Sequence, residues 1–265
     1  MEVKDFTIKF NRPDEIKIYC FGDIHGGTRH CAEHEVQRTI KKIKDDPFAY
    51  WIDMGDKCEF ISPSDPRWDV EGIAEWCHQD NIAEDQTAWY CDLVSPIKDK
   101  CIGILEGNHE DAIRTHSHID VQKNICNRLG VTNLGYSCFV RFHFIRSNHN
   151  QISHIGFFTH GAGWAITKGS KLNRLQRLMD SFEADIYACG HMHDIITDSK
   201  PYLTLDQDNK IKQRVKVGAV TGCYFRTYTQ DVRASYGEKK NYPPVTIGSP
   251  VFTIVPDRGL LSVSG

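Results

Sequence analysis

His191 and His193 stand two positions apart in GHMHD (190–194), directly after the apolar run DIYAC. Four other apolar runs end in the same way. IKIYCFG leads into Asp23 and His25, FAYWIDM into Asp56 and Glu59, CIGILE into Asn108, His109 and Glu110, and ISHIGFFT into His160. Imidazole and carboxylate donors suit borderline divalent cations, Mn first, with Fe, Zn or Ni as alternatives. Two such ions held roughly 3.5–4 Å apart need ligands of their own and an anion between them. A carboxylate can bridge, because its two oxygens carry several lone pairs. Such a pair supports attack by a metal-activated water. In an extended GHMH segment His191 and His193 face one side and Met192 the other, by the strand period of two.

Each motif alone is a weak signal. A single His after a strand is more often a hydrogen-bonded structural residue than a ligand, and Gly-Asp in a loop is usually a turn. Five motifs in order, each directly after an apolar run, are not what solvated loops produce. The five runs read as buried strands, 16–22, 48–54, 101–106, 152–159 and 185–189. Helical spacing falls between them: Val36, Ile40 and Ile43; Val121, Ile125 and Leu129 before a stop at Gly130; and Leu172, Leu175, Leu178, Met179 and Phe182. Alternating strands and helices predict an α/β fold with parallel pairings, and open sheets of that kind bind ligands at the carboxyl ends of their strands. Toward the end of the chain, YLTL (202–205) and IKQRVKV (211–217) predict a hairpin, and AVTGCYF (219–225) and PVFTIVP (250–256) predict two further strands. The expected organisation is one domain over 1–265, with 57–100 as a cap or insertion that carries a helix at IAEDQTAWYCDLV.

The 265 residues are 40% hydrophobic and 25% charged with a net charge of −3, so no global charge draws the chain to nucleic acid or an anionic membrane. There is no apolar run long enough to cross a bilayer, and MEVKDFTIKF lacks the apolar stretch of a signal peptide. The ten cysteines contain no CxxC pair, which favours reduced thiols in a cytoplasmic protein over a disulfide framework or a cysteine zinc site. No membrane partner is expected.

In order, the motifs read GDIH (22–25), GDKCE (55–59), GNHE (107–110), THG (159–161) and GHMH (190–193). The set resembles the calcineurin-like metallophosphoesterase superfamily, whose pattern is D-x-H, GD-x-x-D, GNH-[DE], H and GH-x-H. The resemblance spans residues 18 to 194. It implies a layered α/β sandwich, two mixed β-sheets flanked by helices. It also implies that Asp23, His25 and His193 hold one metal ion, that Asn108, His160 and His191 hold the other, and that Asp56 bridges both. His109 is then the catalytic acid, protonating the leaving oxygen after attack on phosphorus by a hydroxide shared between the ions. Glu59 departs from the second Asp of the GD-x-x-D motif, a position that is not normally a ligand. Phe60 and Glu106 stand where serine/threonine protein phosphatases carry arginines, which argues against that branch. The resemblance implies a phosphate ester as partner, with a nucleotide or nucleic acid as an open alternative. A phosphodiesterase, or a mono/diesterase of broad range, is favoured, a metal-dependent nuclease acting on DNA or RNA is the alternative, and a non-catalytic metal-binding scaffold is the reading of another class. All seven expected ligands and His109 are present, which argues against a decayed site.

Several residues near these motifs have two readings. Arg29 and Arg114 can touch a substrate phosphate or be solvated, and His30, His116 and His118 are surface candidates. Lys168, Lys171, Arg174 and Arg177 surround the start of a helix; their wet-face reading competes with a nucleic-acid backbone role. Phe225, Tyr228 and Tyr236 can pack or stack on a base.

Overall fold

A computed structural model describes residues 1–61, 63, 65, 67–146, 150–163 and 165–265. Strands β1 (Glu2–Lys9) and β2 (Ile16–Phe21) precede helix α1 (Glu33–Asp45) and strand β3 (Ala49–Asp53). Helix α2 (Ile82–Val94) leads to β4 (Cys101–Ile104), and α3 (Asn108–Ser117) and α4 (Val121–Leu129) follow. Strands β5 (Ser137–Arg146) and β6 (Asn150–Thr159), helix α5 (Lys168–Ser181) and strand β7 (Ile186–Cys189) come next. The chain closes with β8 (Ile195–Leu205), β9 (Ile211–Thr221), the short α6 (Tyr236–Lys239), β10 (Val251–Val255) and β11 (Leu260–Ser264).

Two mixed sheets form, with orders β1-β5-β6-β7-β9-β8 and β11-β10-β2-β3-β4. The core lies between them. Ile16, Ile18, Cys20 and Ile52 of one sheet pack against Val140, Phe142, Phe158 and Ala188 of the other. Each fully buried Ile or Phe contributes about 1.5–3 kcal/mol through removal of apolar surface from water. On the outer faces, α1 buries Val36, Ile40 and Ile43 with Trp51 and Tyr90 over the smaller sheet, and α5 buries Leu175 and Met179 over the larger. Two mixed sheets flanked by helices are the architecture the motif resemblance implies.

Pairing within β2-β3-β4 is parallel, as is β6 with β7. The carboxyl ends of these five strands therefore open on one edge, but that edge is shared by two facing sheets rather than belonging to one open sheet. AVTGCYF is not a separate strand: β9 runs on through it to Thr221 and pairs with β7, because its buried half completes the inter-sheet core. The stretch 57–100 divides. Ser95–Lys100 and α2 pack into the core beneath β3 and β4 through Tyr90, Val94 and Ile97, whereas Arg67–Ile73 borders the cavity described below. All ten cysteines are free. Among the described residues no helix is long and apolar enough to cross a membrane.

Candidate metal centre

The loops after β2, β3, β4, β6 and β7 bring the eight predicted site residues to one place. Asp23, His25 and His193 have donor atoms within 4.8 Å of one another, and so do Asp56, His160 and His191. Nε2 of His25 lies 2.9 Å from Nε2 of His193, which in turn lies 3.3 Å from Asp23 Oδ1. Nε2 of His160 lies 3.3 Å from Asp56 Oδ2 and 3.1 Å from Asn108 Oδ1. That amide oxygen is also 2.7 Å from His191 Nδ1 and 3.2 Å from Asp56 Oδ2. Turned the other way, the amide would point its NH2 at the same three groups, so the Asn108 side chain meets this cluster through either of its polar atoms. An amide oxygen, a carboxylate and two imidazoles fit a divalent transition ion. The donor set around Asp23 fits one equally well.

The histidines are oriented by their other ring nitrogens. His160 Nδ1 donates to the Met54 carbonyl at 2.7 Å, so its Nε2 lone pair faces the cluster. His25 Nδ1 lies 3.0 Å from a Glu59 carboxylate oxygen, behind the ring face that meets His193. Glu59 thus touches His25 from outside the pair, and with His109 these two residues make a third close group. His109 Nδ1 donates to the Glu59 carbonyl at 2.5 Å and its backbone N–H donates to Asp56 Oδ1 at 3.0 Å. Its Nε2 is left toward the open side, 4.0 Å from Asp56 Oδ2.

The backbone here is not extended. Asp23, His25, Asp56, His191 and His193 have φ of 47°, 53°, 50°, 67° and 47°, so the expectation of an extended GHMH is corrected. The left-handed conformation costs a non-glycine residue about 1–3 kcal/mol and persists only where its surroundings impose it. They do so through cross-loop hydrogen bonds: Asp23 N–H donates to the Gly55 carbonyl, His25 N–H to the Asp56 carbonyl, and His191 N–H to the Asp23 carboxylate. Met192 still points away from the two histidines, into the apolar cluster with Leu175 and Met179.

A buried carboxylate holds the Asp56 loop. Glu110 accepts the backbone N–H groups of Asp56, Lys57 and Gly107 at 3.0, 2.9 and 2.7 Å. Lys57, itself fully buried, lies 3.7 Å from Glu110 and 3.4 Å from Asp53 and donates to the Leu105 carbonyl. Gly107 must be glycine, because a Cβ there would meet the Asp56 backbone nitrogen and Oδ1 at 2.2 Å. Glu110→Ala strands three N–H groups and leaves the buried Lys57 ammonium with Asp53 as its remaining carboxylate. Its expected cost is about 3–5 kcal/mol of folding stability, measured by urea unfolding; a change within about 0.5 kcal/mol, the range of neutral surface substitutions, contradicts the arrangement.

The carboxylates impose charge on the imidazoles. Burial opposes the charged form of His25, but Glu59, Asp56 and Asp23 outweigh it and raise the group to about 9. Burial likewise opposes charge on His160, and Asp56 overrides it to about 10. Burial, with the neighbouring His160, lowers His191. The site therefore demands positive charge, which protons supply where no cation does. A folded-state value raised above the ordinary 6.5 gives stability that is complete below 6.5 and is lost as pH rises through about 9 and 10. Chelator-treated protein is expected to lose melting temperature across that window, and His160→Gln to show a shallower loss. Equal slopes for the two proteins would contradict the field ascribed to Asp56.

No protein-family model matches the sequence, and no curated protein does. Among solved structures, the chain is similar to the metallophosphoesterase of Sphaerobacter thermophilus, at 12% identity and a TM-score of 0.40 over 94% of this chain and 87% of that one. It is similar to Vps29 of Chaetomium thermophilum, at 12% identity and 0.35 over 94% and 93%. It is also similar to the NAD nucleotidase of Haemophilus influenzae, at 9% identity and 0.45, where it covers 96% of its own length and 50% of that chain. In motif order and layered fold this chain resembles the calcineurin-like metallophosphoesterases.

A cavity of about 760 Å³ opens over His109 and the two histidines of GHMH. Of the other candidates, Arg29, His116, His118, Lys168 and Arg177 are exposed and Arg114 is tied to Glu106 and Asp111. Lys171 is not on a wet face: it is buried 3.4 Å from Asp194, because its position on α5 faces the β7–β8 connection. Arg174 donates to the Ala162 carbonyl. His30 meets Thr229 at 3.0 Å and Phe225 packs edge-on against His25, so both belong to the cavity wall. Tyr236, at the cavity rim, and Tyr228 are both exposed. Two features had no sequence signal. The Asp53–Lys57–Glu110 network looks like ordinary loop charge in the sequence, and Arg67, 3.4 Å from His109 Nε2, lies in a stretch with no periodicity.

Proposed function

We propose that this protein is a binuclear-metal-dependent hydrolase of phosphate esters, acting as a phosphodiesterase, built as one domain over 1–265. Asp23, His25 and His193 would hold one divalent cation, Asn108, His160 and His191 the other, and Asp56 both. Bound there, the pair supplies neutralising charge at the phosphoryl oxygens and lowers the pKa of water toward neutrality. The single observation that carries this reading is the convergence of two donor clusters from five separate loops, Asp23, His25 and His193 beside Asp56, His160 and His191.

His109 has the geometry of a proton donor. The Glu59 carbonyl can only accept, so His109 Nδ1 keeps its hydrogen, and a proton delivered to the substrate would be carried on Nε2, the nitrogen facing the cavity. From there it passes to the leaving oxygen. Manganese is the first ion to test, by the oxygen and nitrogen donors. The ten free cysteines support a reducing, cytoplasmic setting. The deciding experiment is hydrolysis of bis-p-nitrophenyl phosphate with added Mn²⁺, alongside the monoester and single-stranded DNA. Turnover of the diester abolished by chelation and restored by metal is expected. A protein inert on every ester with Mn, Fe, Zn and Ni is not this enzyme.

A further inference from the structure

Arg67 belongs to none of the motifs, yet its guanidinium is fixed in a particular pose. Nε and Nη2 donate side-on to the Asp65 carboxylate at 3.0 and 2.8 Å, and the Arg67 backbone N–H donates to the same group at 2.8 Å. This pairing turns Nη1 the other way, into the cavity, where it stands 3.4 Å from His109 Nε2. The remaining cations that line the cavity among the described residues turn toward carboxylates: Lys171 toward Asp194, and Arg233 and Lys239 toward Asp69. A guanidinium held by a bidentate partner has lost its rotamer freedom before any ligand arrives, so a further hydrogen bond from Nη1 carries little ordering penalty. With Nδ1 donating to the Glu59 carbonyl, His109 Nε2 accepts one Nη1 hydrogen, and the second Nη1 hydrogen is available to an oxyanion that enters the cavity.

We propose that Arg67 is a substrate-anchoring residue, whose Nη1 binds a non-bridging oxygen of the phosphoryl group on the same side as the leaving oxygen. The inference rests on the phosphoesterase reading above and adds to it the group that grips the substrate's own charge. Asp65 is then a positioning residue that keeps Nη1 aimed. One charge-assisted hydrogen bond predicts about a tenfold change in affinity for a phosphate oxyanion.

The test uses the full chain loaded with Mn²⁺, with inorganic phosphate as the probe in calorimetry and as a competitive inhibitor of diester turnover. Arg67→Met is expected to raise both the phosphate Kd and the diester KM by about tenfold, with unchanged metal content and a smaller change in kcat; Arg67→Lys recovers part of the loss. If the unaltered protein turns over the diester and Arg67→Met keeps its phosphate affinity and KM, the anchoring role is overturned and the phosphoesterase reading stands. If the unaltered protein neither hydrolyses the diester nor binds phosphate, both fall together. Should Arg67→Met lose metal or melt early, Arg67→Lys decides: phosphate affinity equal to that of the unaltered protein overturns the role.

Discussion

Asp56→Asn is expected to leave a folded protein that retains neither cation and loses diester turnover by about 10³-fold or more. Asp56 is almost fully buried at 1% exposure, and its Oδ2 stands within 3.3 Å of both Asn108 and His160. Its charge is the chief influence that overrides burial at His160. Asparagine keeps the volume and can still accept the His109 N–H at Oδ1, so the loop held by Glu110 survives. What disappears is the anion that two cations would share, replaced in part by an NH2 that repels them. Metal analysis of the purified variant, with its melting curve, separates this from misfolding. A variant that holds two equivalents of metal removes Asp56 from the bridging position.

His109→Ala is expected to behave in the opposite way toward metal. His109 contributes no atom to the two donor clusters around Asp23 and Asp56, so metal content should stay at the level of the unaltered protein. Turnover of an ester with a poor leaving group should fall by about 10²–10⁴-fold, the range for loss of a positioned proton donor. An ester whose leaving group departs as a stable anion, such as p-nitrophenolate, needs that proton less and should lose far less. Rates on an alkyl and a p-nitrophenyl ester therefore split if Nε2 is the acid, and an equal loss on both points to a charge role instead.

Much of the fold can be read locally. IKIYCF, AYWID and IYAC are apolar because both of their faces are covered, and such runs announce themselves. The helix over Ile82–Val94 and the left-handed Gly130 at the end of α4 follow from periodicity and capping. Strands β1 and β5 lie outside the expected set for different reasons. SCFVRFHFIR has a clear apolar and polar alternation, with Cys138, Val140, Phe142 and Phe144 buried, and that signal could have marked it. EVKDFTIK, an edge strand, buries little beyond Ile8, so its pattern is faint. The first half of β8 is likewise half exposed and is specified by its partner β9 rather than by its own residues.

Which donors exist, their order, and that each follows a strand are legible in short stretches of chain, because burial and period are properties of a few consecutive residues. Tertiary structure alone decided that His25 faces His193 across 168 positions of chain and that Asn108 faces His160 across 52. It also decided that five of these residues bend into left-handed backbone and that Arg67 turns toward His109. Those outcomes depend on strand order, on how two sheets face one another, and on hydrogen bonds between loops far apart in the chain, none of which leaves a trace in local spacing.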